Sequence, residues 1–298
     1  MAHPVEAALE APHGTWRRLP LLARFMDFSA RQPLAALGVL LLIAMVLVAL
    51  CAPWLGTVDP QAIAPARRLR PPSASHWFGT DMYGRDVYSR SLYGARISLV
   101  VGGAVAFLSM LVGSVIGLAA GYSRAVDAVV TRIMDALMAI PDILLAICLM
   151  ALTRADIQNV ILAITITQIP RVVRLVRSVT LSLRGQLFVE AAVTSGAPFV
   201  RVLARHILPN AMAPLLVQGT YICASAMITE AILSFIGAGT PPEIPSWGNM
   251  MAEGRSLFQA AYHIILFPGL LLSSAVLAVN LVGDGLRDTL DPRLSRRL

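Results

Sequence analysis

The chain has 298 residues, 57% of them hydrophobic and only 14% charged, with a mean hydropathy of +0.71. This balance excludes an ordinary soluble domain and points to a polytopic membrane protein. The net charge of +7 is carried by arginine alone, and the arginines fall mostly between apolar runs. Topology and lipid headgroups account for that pattern better than nucleic acid does.

Residues 1–33 hold four arginines and read as a cytoplasmic tail, with an interfacial helix expected near Leu19–Phe28. No short apolar core followed by a small-residue cleavage site is present, so no removed signal peptide is expected. A first span over 34–52 has the length needed to cross a bilayer. Residues 53–96 form the longest polar interval, rich in Pro and Gly, and are expected as a periplasmic loop. Within it Asp81 and Asp86 read as turn or N-cap residues, and Arg85, Arg90 and Arg96 as interface anchors.

Residues 97–285 are expected to hold five further spans. The second, Ile97–Ser123, carries Gly113, Gly117 and Gly121 every four residues, a stripe that lets a neighbouring helix approach closely. A short charged loop follows over 124–135. The third span is expected to start near Ala136 and contains Asp142; the fourth runs from Ile157 to about Leu175. The fifth covers Ala211–Phe235 and contains Glu230, and the sixth runs from about Leu257 to Val282. Residues 286–298 form a basic cytoplasmic tail. An ionisable residue within a span faces protein or water, which makes Asp142 and Glu230 candidate pathway or gate residues. A structural role for Glu230 beside an outer arginine is the competing expectation. Gln168, Gln218 and Asn280 read as interhelical hydrogen-bonders.

Between the fourth and fifth spans lies a segment with six arginines and one carboxylate, Glu190: RVVRLVRSVTLSLRGQLFVEAAVTSGAPFVRVLARHILPN, residues 171–210. With both termini inside, 16 of the 24 arginines fall on the inner side, which favours a cytoplasmic position for this segment. Six arginines in the outer loop 53–96 pull against that orientation. Glu190, Ala191 and Ala192 combine a charge with two small side chains that permit close contact. Gly196 and Pro198 break the helix, and Leu208 and Pro209 lead into the next span.

Cys51, Cys148 and Cys223 lie in apolar runs without a CxxC pair, and the five histidines show no metal-ligand spacing, so neither a disulfide framework nor a metal site is expected. No G-x-x-x-x-G-K-[ST] loop occurs, so the chain is not itself a P-loop ATPase. No spacing of His206, His263, Asp142 and Glu230 matches a catalytic constellation, which argues against a membrane-embedded enzyme. No repeat between the two halves favours a secondary transporter or channel.

The spacing of Glu190-Ala191-Ala192, Gly196 and Leu208-Pro209 resembles the EAA loop of ABC importer permeases. HWFGTDMYGRDVYSR (76–90), HILPN (206–210) and GDGLRDTLDPR (283–293) make the chain similar to the C-type permease subunits of the dipeptide/oligopeptide class. The broad permease pattern has Ile where His206 stands; the peptide subfamily commonly has His. The resemblance implies an all-α polytopic fold of six transmembrane helices, the type I importer (MetI-like) fold, in the bacterial inner membrane. It implies that Glu190, Ala191, Ala192, Gly196, Arg201, His206, Leu208 and Pro209 form the ATPase-coupling loop. The implied partners are a second homologous permease, two cytoplasmic ABC ATPases, a periplasmic or lipid-anchored binding protein and the bilayer. ATP and Mg would be used by the ATPases, with no cofactor bound by this chain. Nickel chelates, opines or glutathione are alternative cargoes within the same class.

Overall fold

The computed structural model describes Ser29 and residues 32–290; the helix expected near Leu19–Phe28 lies outside the described residues. The helices, in chain order, are α1 (Pro33–Cys51), α2 (Val87–Tyr122), α3 (Arg124–Met138), α4 (Asp142–Ala151), α5 (Ile157–Arg184), α6 (Leu187–Thr194), α7 (Phe199–Val202), α8 (Leu208–Ile236), α9 (Trp247–Gly254) and α10 (His263–Leu290). Among the described residues, five stretches are each long and apolar enough to cross a membrane: α1, α2, α5, α7 through α8, and α10. The α3–α4 pair, bent by 88°, makes a sixth if counted as one span. Helices suit this solvent because each satisfies its own backbone polar groups.

The second span begins ten residues earlier than expected, and Asp86 is the reason. Its Oδ2 accepts from the Ser89 amide at 2.8 Å and from the Ser89 hydroxyl at 2.7 Å, an N-cap that starts α2 inside the polar interval. Arg85 and Arg90 are not headgroup anchors. They are 8% and 1% exposed and share two carboxylates: Arg85 reaches Asp81 and Glu253, each at 2.6 Å, and Arg90 reaches them at 2.5 and 2.9 Å. Two positive and two negative charges cancel, so the cluster is buried without net charge. Arg96 donates to the carbonyls of Ala49 and Leu50 and so covers the open end of α1. The buried Trp247 donates to Ser91 O at 3.0 Å, tying α9 to α2.

The third span also departs from expectation. Residues 124–135 are helix, not loop, because the segment is two-faced. Val126, Val129 and Ile133 point outward, and Asp127, Thr131 and Asp135 recur every four residues on another face. Pro141 has no amide hydrogen and disfavours helix in the residue before it, so the chain bends there. Ten-residue α4 is only about 15 Å long. The span is therefore a bent pair rather than a straight helix from Ala136.

Helix α5 runs on to Arg184, so the segment 171–210 leaves the helix only at Gly185. Its arginines extend it because they find partners on α3 and α4: Arg171 with Asp142 at 2.5 Å, Arg174 with Asp135 at 2.9 Å, and Arg177 with Asp127. The opposite face of α5 meets the glycine stripe of α2 in the most extensive helix pairing among the described residues. A Cβ on Gly113 or Gly117 would stand 2.6 or 2.8 Å from the Cβ of Val172 or Val176, and one on Gly121 would meet Thr180. The fifth span starts at Phe199 rather than Ala211, and α10 begins at His263 and continues to Leu290, past Val282.

Gly117→Val should therefore lower the thermal unfolding midpoint in nanodiscs, at a cost of about 1–3 kcal/mol from overpacking. Gly103, where an added Cβ would meet nothing within 4 Å, supplies the control. Gly103→Val should stay within about 0.5 kcal/mol of the parent, and equal shifts in the two variants would refute the packing role.

Candidate functional site

One face of α8 is polar at helical spacing. Gln218, Tyr221, Ser225 and Thr229 recur every three to four residues, with Ile232 continuing the same stripe. That stripe lines an open groove. Its larger part, about 520 Å³, lies between α8, the start of α4, Arg171 of α5 and Asn280 of α10. A second part, about 420 Å³, continues past Tyr221 and Arg171 to Arg174, Ser178 and Gln218. From Ile232 to Gln218 the groove follows α8 for about 21 Å, most of the hydrocarbon thickness. Gln218 and Asn280, expected as interhelical bridges, thus line open space, whereas Gln168 is buried and accepts weakly from Arg171 at 3.5 Å.

The two candidate pathway residues separate. Asp142 lines the groove, paired with Arg171; the two side chains are 31% and 33% exposed. Glu230 faces away from it and is fully buried. Its neighbours are hydroxyls rather than an arginine: Ser234 donates to Oε1 at 2.8 Å, Thr240 stands at 3.5 Å, and Asn249 bonds Thr240 in turn. Glu230 therefore fastens the turn 237–246 to α8 and α9.

Beyond Ser178, the last residue of α5 that lines the groove, the helix runs on to an elbow. After Gly185 the chain turns into α6, which carries Glu190 in its first turn. The end of α6 is fixed by two amides: Gly196 N donates to Val193 O at 3.0 Å and Ala197 N to Ala192 O at 3.1 Å. This is a Schellman closure, and it sets Gly196 at φ +77°, a left-handed conformation that only glycine adopts without cost. Pro198 then starts α7. Val189, Val202 and Ile207 anchor the elbow in the core, whereas Leu187 is 83% and Val200 69% exposed, with Glu190, Ala191 and Arg201 beside them. Ala192 is half-buried. A cleft of about 380 Å³ separates α6 from Tyr122 and Arg184.

Between α7 and α8 the helix widens into a π turn, Leu203–Ile207, which holds Arg205 and His206. Pro209 lacks an amide hydrogen and crowds the carbonyl four residues back, so an ordinary α turn is disfavoured there. The Asn210 side chain takes the His206 carbonyl at 2.7 Å. Leu208 and Pro209 thus sit in the first turn of α8, inside a nearly continuous helix rather than at the end of a loop.

Residues 109–296 match the family described as the inner membrane component of binding-protein-dependent transport systems. The chain belongs to this permease family. It is 54% identical to a probable peptide ABC transporter permease of Sinorhizobium fredii, over 90% of this chain and 91% of that protein. A dipeptide transport system permease of Alkalihalophilus pseudofirmus is 41% identical over 89% and 87%. A glutathione transport system permease of Pectobacterium atrosepticum is 41% identical over 94% and 98%. Bent pair, groove and elbow all lie within the family's matched residues.

If the groove is wetted, cysteines at Tyr221 and Ser225 should react with a membrane-impermeant thiol reagent, and one at Glu230 should not. The exposed native Cys148 must first become Ser. Labelling at 230 equal to that at 225 would contradict the assignment of the polar stripe.

Proposed function

We propose that this permease forms one half of the translocation pore of an ATP-driven importer of di- and oligopeptides. The observation that carries this reading is the continuity of α5: it borders the polar groove from Arg171 to Ser178 and hands the chain directly to an exposed elbow. A groove that follows most of the membrane thickness and is open along one side invites a second, homologous permease to close it. Tyr221 and Ile228, 52% and 41% exposed along its rim, support such a seat.

The elbow has the properties of a docking surface. Its helix is short, presents Leu187, Glu190 and Ala191 outward, and is braced from behind by buried valines. In the proposed mechanism two cytoplasmic ATPases hold the elbows of the two permeases, with Glu190, Ala191, Ala192, Gly196 and Arg201 at the contact. His206, Leu208 and Pro209 join that contact to α8. ATP with Mg closes the ATPases, draws the inner ends together and opens the groove outward; hydrolysis resets it. A periplasmic or lipid-anchored binding protein delivers cargo to the clamped outer segment 53–86. The inner-membrane orientation has the elbow and both termini in the cytoplasm. The arginine distribution supports it, and the burial of Arg85 and Arg90 in ion pairs eases the objection from the outer loop. The names of the peptide and glutathione relatives support a short-peptide cargo.

The test compares two elbow glycines in the reconstituted complex. Gly196→Val forces a left-handed backbone at about 1–2 kcal/mol and should cut peptide uptake about 5- to 30-fold while basal ATP hydrolysis persists. Gly185→Ala, at an ordinary φ of −87° with open space around it, should transport normally. Full uptake by Gly196→Val would overturn the coupling role of the elbow.

A further inference from the structure

The wall of the groove holds a carboxylate and a guanidinium side by side. Of the three ion pairs that join α5 to the bent pair among the described residues, only Asp142–Arg171 borders the larger cavity. Arg174 and Asp135 are each 56% exposed, toward the end of α5, and Arg177–Asp127 lies beside a separate small cavity. We propose that Asp142 and Arg171 read the two ends of an unblocked peptide: Asp142 takes the α-ammonium group and Arg171 the α-carboxylate. This rests on the groove being half of the peptide pathway.

Charge balance carries the argument. In the empty groove the two groups neutralise each other at 2.5 Å. A zwitterion inserted between them exchanges one ion pair for two, and no charge is left alone in either state. A cargo bearing one charge can satisfy only one member of the pair and leaves the other without its partner, and an uncharged cargo offers neither group a counter-charge, so neither gains what the zwitterion gains. The selectivity therefore belongs to the pair and not to either residue alone.

The surroundings fit a short peptide. The cavity, about 520 Å³, lies in the size range of small-ligand sites. Arg171 offers a planar fork suited to a carboxylate, and the Tyr221 ring, 6.0 Å from the guanidinium carbon, stands beside it. Ser225, Thr229 and Asn280 supply neutral donors and acceptors for backbone amides, and Ile143, Ile228 and Ile232 an apolar strip for side chains. Asp142 sits in the first turn of α4, where the helix end favours the carboxylate. A pair one-third exposed is screened by water, so the site holds cargo weakly, as passage through it requires.

The test is saturation-transfer NMR on the nanodisc-embedded permease–ATPase complex without its binding protein. The probes are alanyl-phenylalanine and its N-acetyl, C-amide form. The free dipeptide should give about fivefold stronger transfer than the blocked form, the size of one solvent-screened ion pair. Asp142→Asn and Arg171→Gln should each weaken that preference and the two together remove it, whereas Arg171→Lys should keep part of it. Equal transfer from the two peptides in the parent complex would overturn the proposal without any variant having to fold. A preference that survives the two neutralising substitutions together would overturn it too. Uptake of the free dipeptide by the complete importer is scored separately, so a failure of peptide reading is distinguished from a failure of the peptide pathway.

Discussion

Helix α5 is the constraint on which the rest of the structure depends. One of its faces is small and apolar and seats the backbone of α2 through Gly113, Gly117 and Gly121. Another carries arginines that hold the bent pair through Asp142, Asp135 and Asp127. A helix bound on two sides in this way moves as a unit with both neighbours, because close-packed interfaces do not deform continuously. The groove is what remains open beside it, and the elbow is simply its continuation past Gly185.

The two ends of the molecule are built differently. At one end, two arginines and two carboxylates are buried together, and Trp247 and Glu230 fasten the connecting turns to the helices. At the other, apolar side chains of α6 and α7 stand out from the chain on a short braced helix. A tightly clamped end and a projecting end suit a subunit that receives its cargo on one face and its drive on the other. In the proposed mechanism the peptide meets the Asp142–Arg171 pair about midway between them.

Much of this was legible in the sequence. Five of the spans, the glycine stripe and the helix break at Gly196 follow from local patterns: apolar run length, a four-residue period, and glycine followed two residues later by proline. The elbow motif falls on the exposed turn between α5 and α8 for the same reason. What escaped depended on contacts between distant residues. The 124–135 segment reads as a loop from its charge content alone, whereas its two differing faces suit a helix. Asp127, Asp135 and Asp142 stand eight and seven residues apart, close to whole helical turns, opposite arginines spaced by three; that match was a readable signal. Glu230 gave no such hint. Its partners are the Ser234 hydroxyl, one turn on in the same helix, and the Thr240 hydroxyl on a turn that the sequence marks only as rich in proline and glycine. Arg85 and Arg90 resembled surface anchors because Glu253, their second partner, lies more than 160 residues away.

The central claim is that the projecting elbow is held from the cytoplasm by an ATP-driven partner. A photoreactive residue at position 187, the most exposed large apolar side chain of α6, measures this most directly in the complete complex with and without ATP. The account predicts cross-links to the ATPase subunit in both conditions. Cross-links confined to lipid, or to the binding protein, would contradict it.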